Sequence, residues 1–223
     1  MGYLGSKAAS GAYQAIIAVM PPHETFIDLF AGSGAILSRK GAAARSYAVD
    51  LDAAAVDALA DSPGLVKLCG DALRFLDKFD YAAAGRVLIY ADPPYLHQTR
   101  TSRQRYRHEM TDAQHMELLV RLRRSSAAVI LPGYPSALYD LHLIGWNTYE
   151  FQVMTRGGPR TEKLWLNYRA SDVHWLPSPE WILLTDRESS VKLLDGRLTI
   201  ERCLPAERLA VLAALREVHH SDG

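Results

Sequence analysis

The run Val87-Leu88-Ile89-Tyr90-Ala91, followed at once by Asp92-Pro93-Pro94-Tyr95, limits what this chain can fold into more than any other stretch. A short, mainly apolar run of this kind suits a strand covered on both faces, as in a parallel sheet. Two consecutive prolines end it and stiffen the backbone beyond it. A carboxylate, a carbonyl and an aromatic ring therefore stand together at the carboxyl end of a buried strand, the edge at which open α/β sheets bind ligands. That trio suits a planar amine. Asp92 and the Pro93 carbonyl can accept both hydrogens of an exocyclic base NH2 while the Tyr95 ring stacks on the base. The same residues also make a proline-rich turn capped by an acid, because four-residue motifs recur by chance.

Upstream, Phe26-Ile27-Asp28-Leu29-Phe30 reads as a strand running into Ala31-Gly32-Ser33-Gly34, and Ala35-Ile36-Leu37-Ser38-Arg39 has a helical pattern. Glycines permit unusual φ and close backbone approach, and a helix N-terminus would leave amide groups for an anionic or polar ligand. The loop is shorter than G-x-G-x-x-G and lacks GK[ST], so nucleotide phosphate is not the favoured ligand. Ala48-Val49-Asp50 then ends a second apolar strand in an acid, the position from which a carboxylate holds ribose hydroxyls. Glycine turn and acid together suit an adenosine-containing cofactor; a glycine turn after a strand also serves plain packing.

The remaining pattern is α/β. Residues 7–20 read as a helix stopped by Pro21-Pro22, after which strands and helices alternate in the manner of a doubly wound sheet. Residues 125–131 read as the fifth strand, ended by Pro132-Gly133, and 135–139 begin a short helix. Residues 146–154 and 162–168 alternate around Arg156-Gly157-Gly158-Pro159, a hairpin signal. Trp165 reads as core. With 223 residues and 48% hydrophobic content, the chain can bury one main domain. Two distant cysteines and eight scattered histidines show no metal spacing, and no stretch is apolar for the length of a membrane span. No metal, no membrane and a cytoplasmic setting are expected. Formal net charge is zero, so any anionic partner must be met locally. Arg100, Arg103, Arg105 and Arg107, interleaved with His97, Tyr106 and His108, form a cluster that could clamp phosphates or be an ordinary solvated loop. A helix capped by Thr111 or Asp112 follows it.

Six blocks in this order resemble the Dam-like (D12 class) adenine-N6 DNA methyltransferases across residues 3–169. They are Tyr3-Leu4-Gly5-Ser6-Lys7, Phe30-Ala31-Gly32-Ser33-Gly34, Asp50, Gly70-Asp71-Ala72, Asp92-Pro93-Pro94-Tyr95 and Thr161-Glu162-Lys163-Leu164-Trp165-Leu166-Asn167-Tyr168. The resemblance implies a Rossmann-like class I methyltransferase sheet, mostly parallel with a C-terminal antiparallel hairpin. It also implies S-adenosylmethionine as cofactor and double-stranded DNA as substrate, with a homodimer or a companion restriction enzyme as further partners. Tyr3 and Lys7 would flank the cofactor, Phe30 to Gly34 would wrap its methionine part, Asp50 would hold the ribose and Asp71 would meet its adenine or amino-acid end, with Leu51 and Ala72 also in the cofactor set. Asp92, Pro93 and Tyr95 would hold a flipped adenine, with Asp92 also bordering the cofactor.

An adenine amine is a poor nucleophile because its lone pair is delocalised into the ring. Two acceptors on its hydrogens favour a pyramidal nitrogen, and alignment with the methyl donor makes the reaction nearly unimolecular. Neither Cys69 nor Cys203 lies in a nucleophile motif, which argues against cytosine-C5 chemistry through a thiolate. Members of the family typically carry a recognition domain between the Gly-Asp and DPPY blocks; here only residues 73–91 intervene. That spacing keeps open a ribosomal RNA guanine-N2 methyltransferase, and a non-catalytic partner of a heteromeric methyltransferase is the third reading. Residues 170–223 form a C-terminal extension for packing, recognition or dimerisation, with a helix expected over 205–218.

Overall fold

The computed structural model describes residues 12–96, 108–155, 158–170, 190–194 and 197–201. Seven strands form one sheet: β1 (Thr25–Asp28), β2 (Arg45–Asp50), β3 (Leu65–Cys69), β4 (Val87–Tyr90), β5 (Ala128–Gly133), β6 (Asn147–Thr155) and β7 (Gly158–Leu166). Their order is β3-β2-β1-β4-β5-β7-β6. The first five run parallel, whereas β7 is antiparallel to both β5 and β6. This is the Rossmann-like, doubly wound sheet with a terminal antiparallel hairpin that the sequence led us to expect. Winding reverses between β1 and β4, which opens a crevice above their carboxyl ends.

Alternation along the strands sorts the core into two layers. Ile27, Leu29, Ile89, Ala91, Val129, Leu131 and Trp165 share a cluster with residues of α3 (Ala72–Lys78), α4 (Asp112–Arg124) and α5 (Ala137–His142). Phe26, Leu88, Tyr90, Ile130, Leu164 and Leu166 pack with Ile16 of α1 (Ala12–Ala18) and with Met20 and Ile36. Ala48 of β2 and Leu59, just after α2 (Ala53–Ala58), make a smaller group. Both faces of the central strands are therefore dry, which is why they read as continuous apolar runs.

Three local expectations change. Residues 35–39 do not form a helix: amides of Ser38 and Lys40 reach back to Gly34 and Ile36 at 2.9 Å, but the segment stays a series of turns. The glycine loop thus opens into no helix N-terminus. Strand β5 runs through Pro132 and Gly133 rather than stopping before them. Its last β4 partner is Ile130, and beyond it only β7 pairs, so Pro132 interrupts no ladder to β4. Within the extension, β8 (Ser190–Leu194) and β9 (Arg197–Glu201) form an antiparallel pair around Asp195-Gly196, a hairpin signal the sequence reading passed over. The helix expected over 205–218 lies outside the described residues. Among the described residues no helix is long and apolar enough to cross a membrane.

Candidate active site

The glycine loop owes its shape to Asp50. One carboxylate oxygen of Asp50 accepts from the Gly32 amide and the other from the Asp52 amide, each at 2.8 Å. The Ala31 amide continues the ladder to the Val49 carbonyl at 3.0 Å, and Gly34 turns back onto the Ala31 carbonyl at 2.7 Å. Gly34 has φ +64°, and a Cβ there would stand 2.6 Å from Leu59 Cδ2. Its role is packing against the segment after α2.

Above the switch point lies a cleft of about 1080 Å³, counting the part open to solvent. Phe30, Ala31, Gly32, Ser33, Asp50, Leu51, Asp71, Ala72 and Asp92 line it, so most of the expected cofactor residues converge on one space. Gly34, Pro93 and Tyr95 do not line it. Tyr3, Lys7, Arg100, Arg103, Arg105 and Arg107 lie outside the described residues. Asp71 has a local duty as well: it caps α3 by accepting from the Arg74 amide at 2.8 Å. Leu51 is 49% exposed and gives the rim an apolar wall.

Several lining residues stand outside the cofactor set expected from the sequence, where His108 is grouped with the arginine cluster. His108, Glu109 and Met110 reach the cleft from just before α4, and Gln114 does so while completing a capping box with Thr111. More consequential are Asp28 and Tyr90, the last residues of β1 and β4, which face each other in register. Their signal was present as an acid and a phenol ending two apolar strands.

Asp28 is 2% exposed, and its Oδ1 has no hydrogen-bond partner among the described residues. Burial, then the charges of Asp92 and Asp50, push its carboxyl up to about 8; the Phe30 amide and Lys40 pull weakly the other way. Lys40 is itself buried, 4.3 Å from the Phe26 ring centroid, and donates to the Gly41 carbonyl at 2.7 Å. Burial brings that ammonium down to about 8 despite Asp28. The floor of the crevice is thus buried and rich in carboxyl groups, with electrostatic capacity for a cation.

After Asp92, Tyr95 donates to the buried Glu162 of β7 at 3.2 Å, and its ring lies 4.5 Å from that of Tyr134. Arg160 stands 5.5 Å from the Tyr134 centroid. Asp92 lines the cleft, and Tyr95, three residues on, belongs to an aromatic group with Tyr134 after β5 and Glu162 of β7.

No protein-family model matches the chain, and no curated protein sequence matches it. Solved structures are similar to it at low identity. A precorrin 8w decarboxylase from Methanobacterium thermoautotrophicum is 14% identical, over 70% of this chain and 87% of its own, with a TM-score of 0.45. An rRNA methylase from Streptococcus thermophilus is 12% identical over 69% and 92%, with a TM-score of 0.43. A SAM-dependent methyltransferase from Anabaena variabilis is 14% identical over 67% and 76%, also with a TM-score of 0.43.

Proposed function

We propose that the chain transfers a methyl group from S-adenosylmethionine to the exocyclic N6 amine of an adenine extruded from DNA. The observation that carries this reading is the cleft at the sheet's switch point, which the glycine loop, Asp50 and Asp92 line together.

The cleft residues fit the cofactor. Asp50, already braced by two amides, retains lone pairs for ribose hydroxyls, since a carboxylate offers about four acceptor sites. The buried, unpartnered Asp28 oxygen suits an ammonium, and Leu51 with Phe30 supplies apolar wall. When bound there, S-adenosylmethionine supplies an electrophilic methyl on a sulfonium. Asp92 and the Pro93 carbonyl would accept both amine hydrogens and draw electron density onto the nitrogen. Tyr95, held by Glu162 and backed by Tyr134, would offer a ring face in place of the stacking lost on extrusion. The surplus proton leaves for water, because the amine becomes acidic once methylated, and Asp92 need not act as a formal base.

A second reading, guanine-N2 methylation of ribosomal RNA, is favoured by the short span from α3 to β4, which holds only a 3-10 turn at Ala82–Ala84 and no inserted domain. One experiment separates the two. The protein is incubated with S-adenosylmethionine and, separately, unmethylated duplex DNA or ribosomal RNA, and the digested nucleosides are read by mass spectrometry with Asp92→Ala alongside. N6-methyladenine in DNA from wild type alone is the expected outcome. N2-methylguanine in RNA would replace the substrate, and cofactor binding with no product would indicate a non-catalytic partner.

A further inference from the structure

We propose that Tyr90 is a positioning residue for Asp92: its hydroxyl, donated to one carboxylate oxygen, sets the direction in which Asp92 presents itself to the target amine. This rests on the reading of Asp92 as the acceptor of that amine. Tyr90 ends β4 at 2% exposure, and its hydroxyl donates to Asp92 Oδ2 at 3.2 Å. The ring packs in the cluster that contains Leu88, Ile130 and Leu164, so the hydroxyl stands on a fixed base. A phenylalanine would satisfy the same packing. A buried hydroxyl is costly unless bonded, and here the recorded acceptor is the residue at the centre of the site. Beyond the prolines the backbone cannot readily readjust, so the Asp92 side chain is the part left to orient.

The charged and titratable groups around this pair come from four elements. Asp28 approaches from the end of β1, Glu162 from β7 and Tyr139 from α5, while Asp50 and Lys40 act through Asp28. Burial first, then the charges of Asp92, Asp28 and Glu162, raise the Tyr90 phenol well above its ordinary range. It therefore remains a donor at every working pH and cannot serve as a base. A donor to a carboxylate favours the ionised form, so loss of the hydroxyl moves the Asp92 titration upward.

The test is Tyr90→Phe in the full chain, with the Asp92 side-chain carboxyl followed by carbon-13 NMR against pH and assigned with Asp92→Asn. We expect the Asp92 midpoint to rise by about half a unit to one unit. The kcat should fall about tenfold with its acid limb displaced upward by the same amount. Ile130→Val, which loosens the same packing and keeps the hydroxyl, should leave the midpoint where it is. An unmoved midpoint in Tyr90→Phe, or an equal displacement in Ile130→Val, overturns the proposal. If wild type moves no methyl group yet the midpoint rises in Tyr90→Phe, the methylation reading fails and the hold of Tyr90 on Asp92 stands.

Discussion

Asp28 shows how a single buried acid can make an empty site unstable and a filled one tight. Burial, more than the neighbouring charges, pushes its carboxyl up to about 8 from the ordinary 3.8. Between those two values the folded state keeps a proton that the unfolded state has lost, so stability falls as pH rises through the window and levels off above it. Asp28→Asn removes this dependence. Its stability relative to wild type, measured by urea denaturation without cofactor, should increase by up to about 1.4 kcal/mol per pH unit from pH 4 to 8. The sign reverses for binding. A cationic ligand group beside Asp28 displaces the proton, so wild-type affinity for S-adenosylmethionine should tighten by at most about tenfold per unit up to pH 8. The variant should bind weakly with a flat profile, as isothermal titration would show. Equal pH slopes in the two proteins would mean that Asp28 does not meet the ligand's charge.

At the scale of elements, the glycine loop is stable only because β1, β2 and α2 converge on it. Gly34 is the tightest point of that convergence, combining positive φ with 2.6 Å between its missing Cβ and Leu59 Cδ2. Gly34→Ala should cost about 2–3 kcal/mol, the sum of a left-handed penalty and displacement of Leu59. Cofactor affinity should fall with it although Gly34 does not line the cleft; a loss of stability with unchanged affinity would uncouple loop from site. The loop's place was legible in the sequence because a strand ending in glycines is a local pattern. The helix expected after it was misread for the same reason: residues 35–39 carry helical periodicity, but only isolated turn bonds form there. The block at residues 161–168 illustrates long-range content that no local pattern displays. Asn167 bonds the Val129 amide and the Ala127 carbonyl at 2.8 Å, continuing the β5 edge past the end of β7. Tyr168 donates to the Val19 carbonyl at 2.7 Å, and Trp165 donates to Asp140 at 2.9 Å from the core. Glu162 serves the site through Tyr95. Asp28 and Tyr90 end two apolar strands in the sequence, but that they and the 108–110 rim share one cleft follows from register and crossover, which no local pattern carries.

For the whole molecule the controlling quantity is charge. The chain balances 25 basic against 25 acidic residues, and the described crevice is itself carboxylate-rich, so neither net charge nor the cleft draws in a polyanion. On the proposed DNA methylation, attraction to the nucleic-acid backbone would have to come from a local set. Arg100, Arg103, Arg105 and Arg107 occupy alternate or near-alternate positions between Tyr95 and the start of α4, whose preceding residues His108 to Met110 line the cleft. The proposal assigns these four arginines to phosphates flanking the target base. Each phosphate neutralised on duplex DNA releases condensed counterion and contributes about −0.9 to the slope of log K against log salt. Replacing all four arginines by glutamine should therefore flatten that slope by about 3–4 and weaken binding across sequences, with S-adenosylmethionine affinity retained because none of the four belongs to the expected cofactor set. Fluorescence anisotropy with a labelled duplex at several salt concentrations measures both quantities. If the slope persists after the replacement, the phosphate contacts reside elsewhere, and Arg160 beside the Tyr134 ring is the next set to exchange.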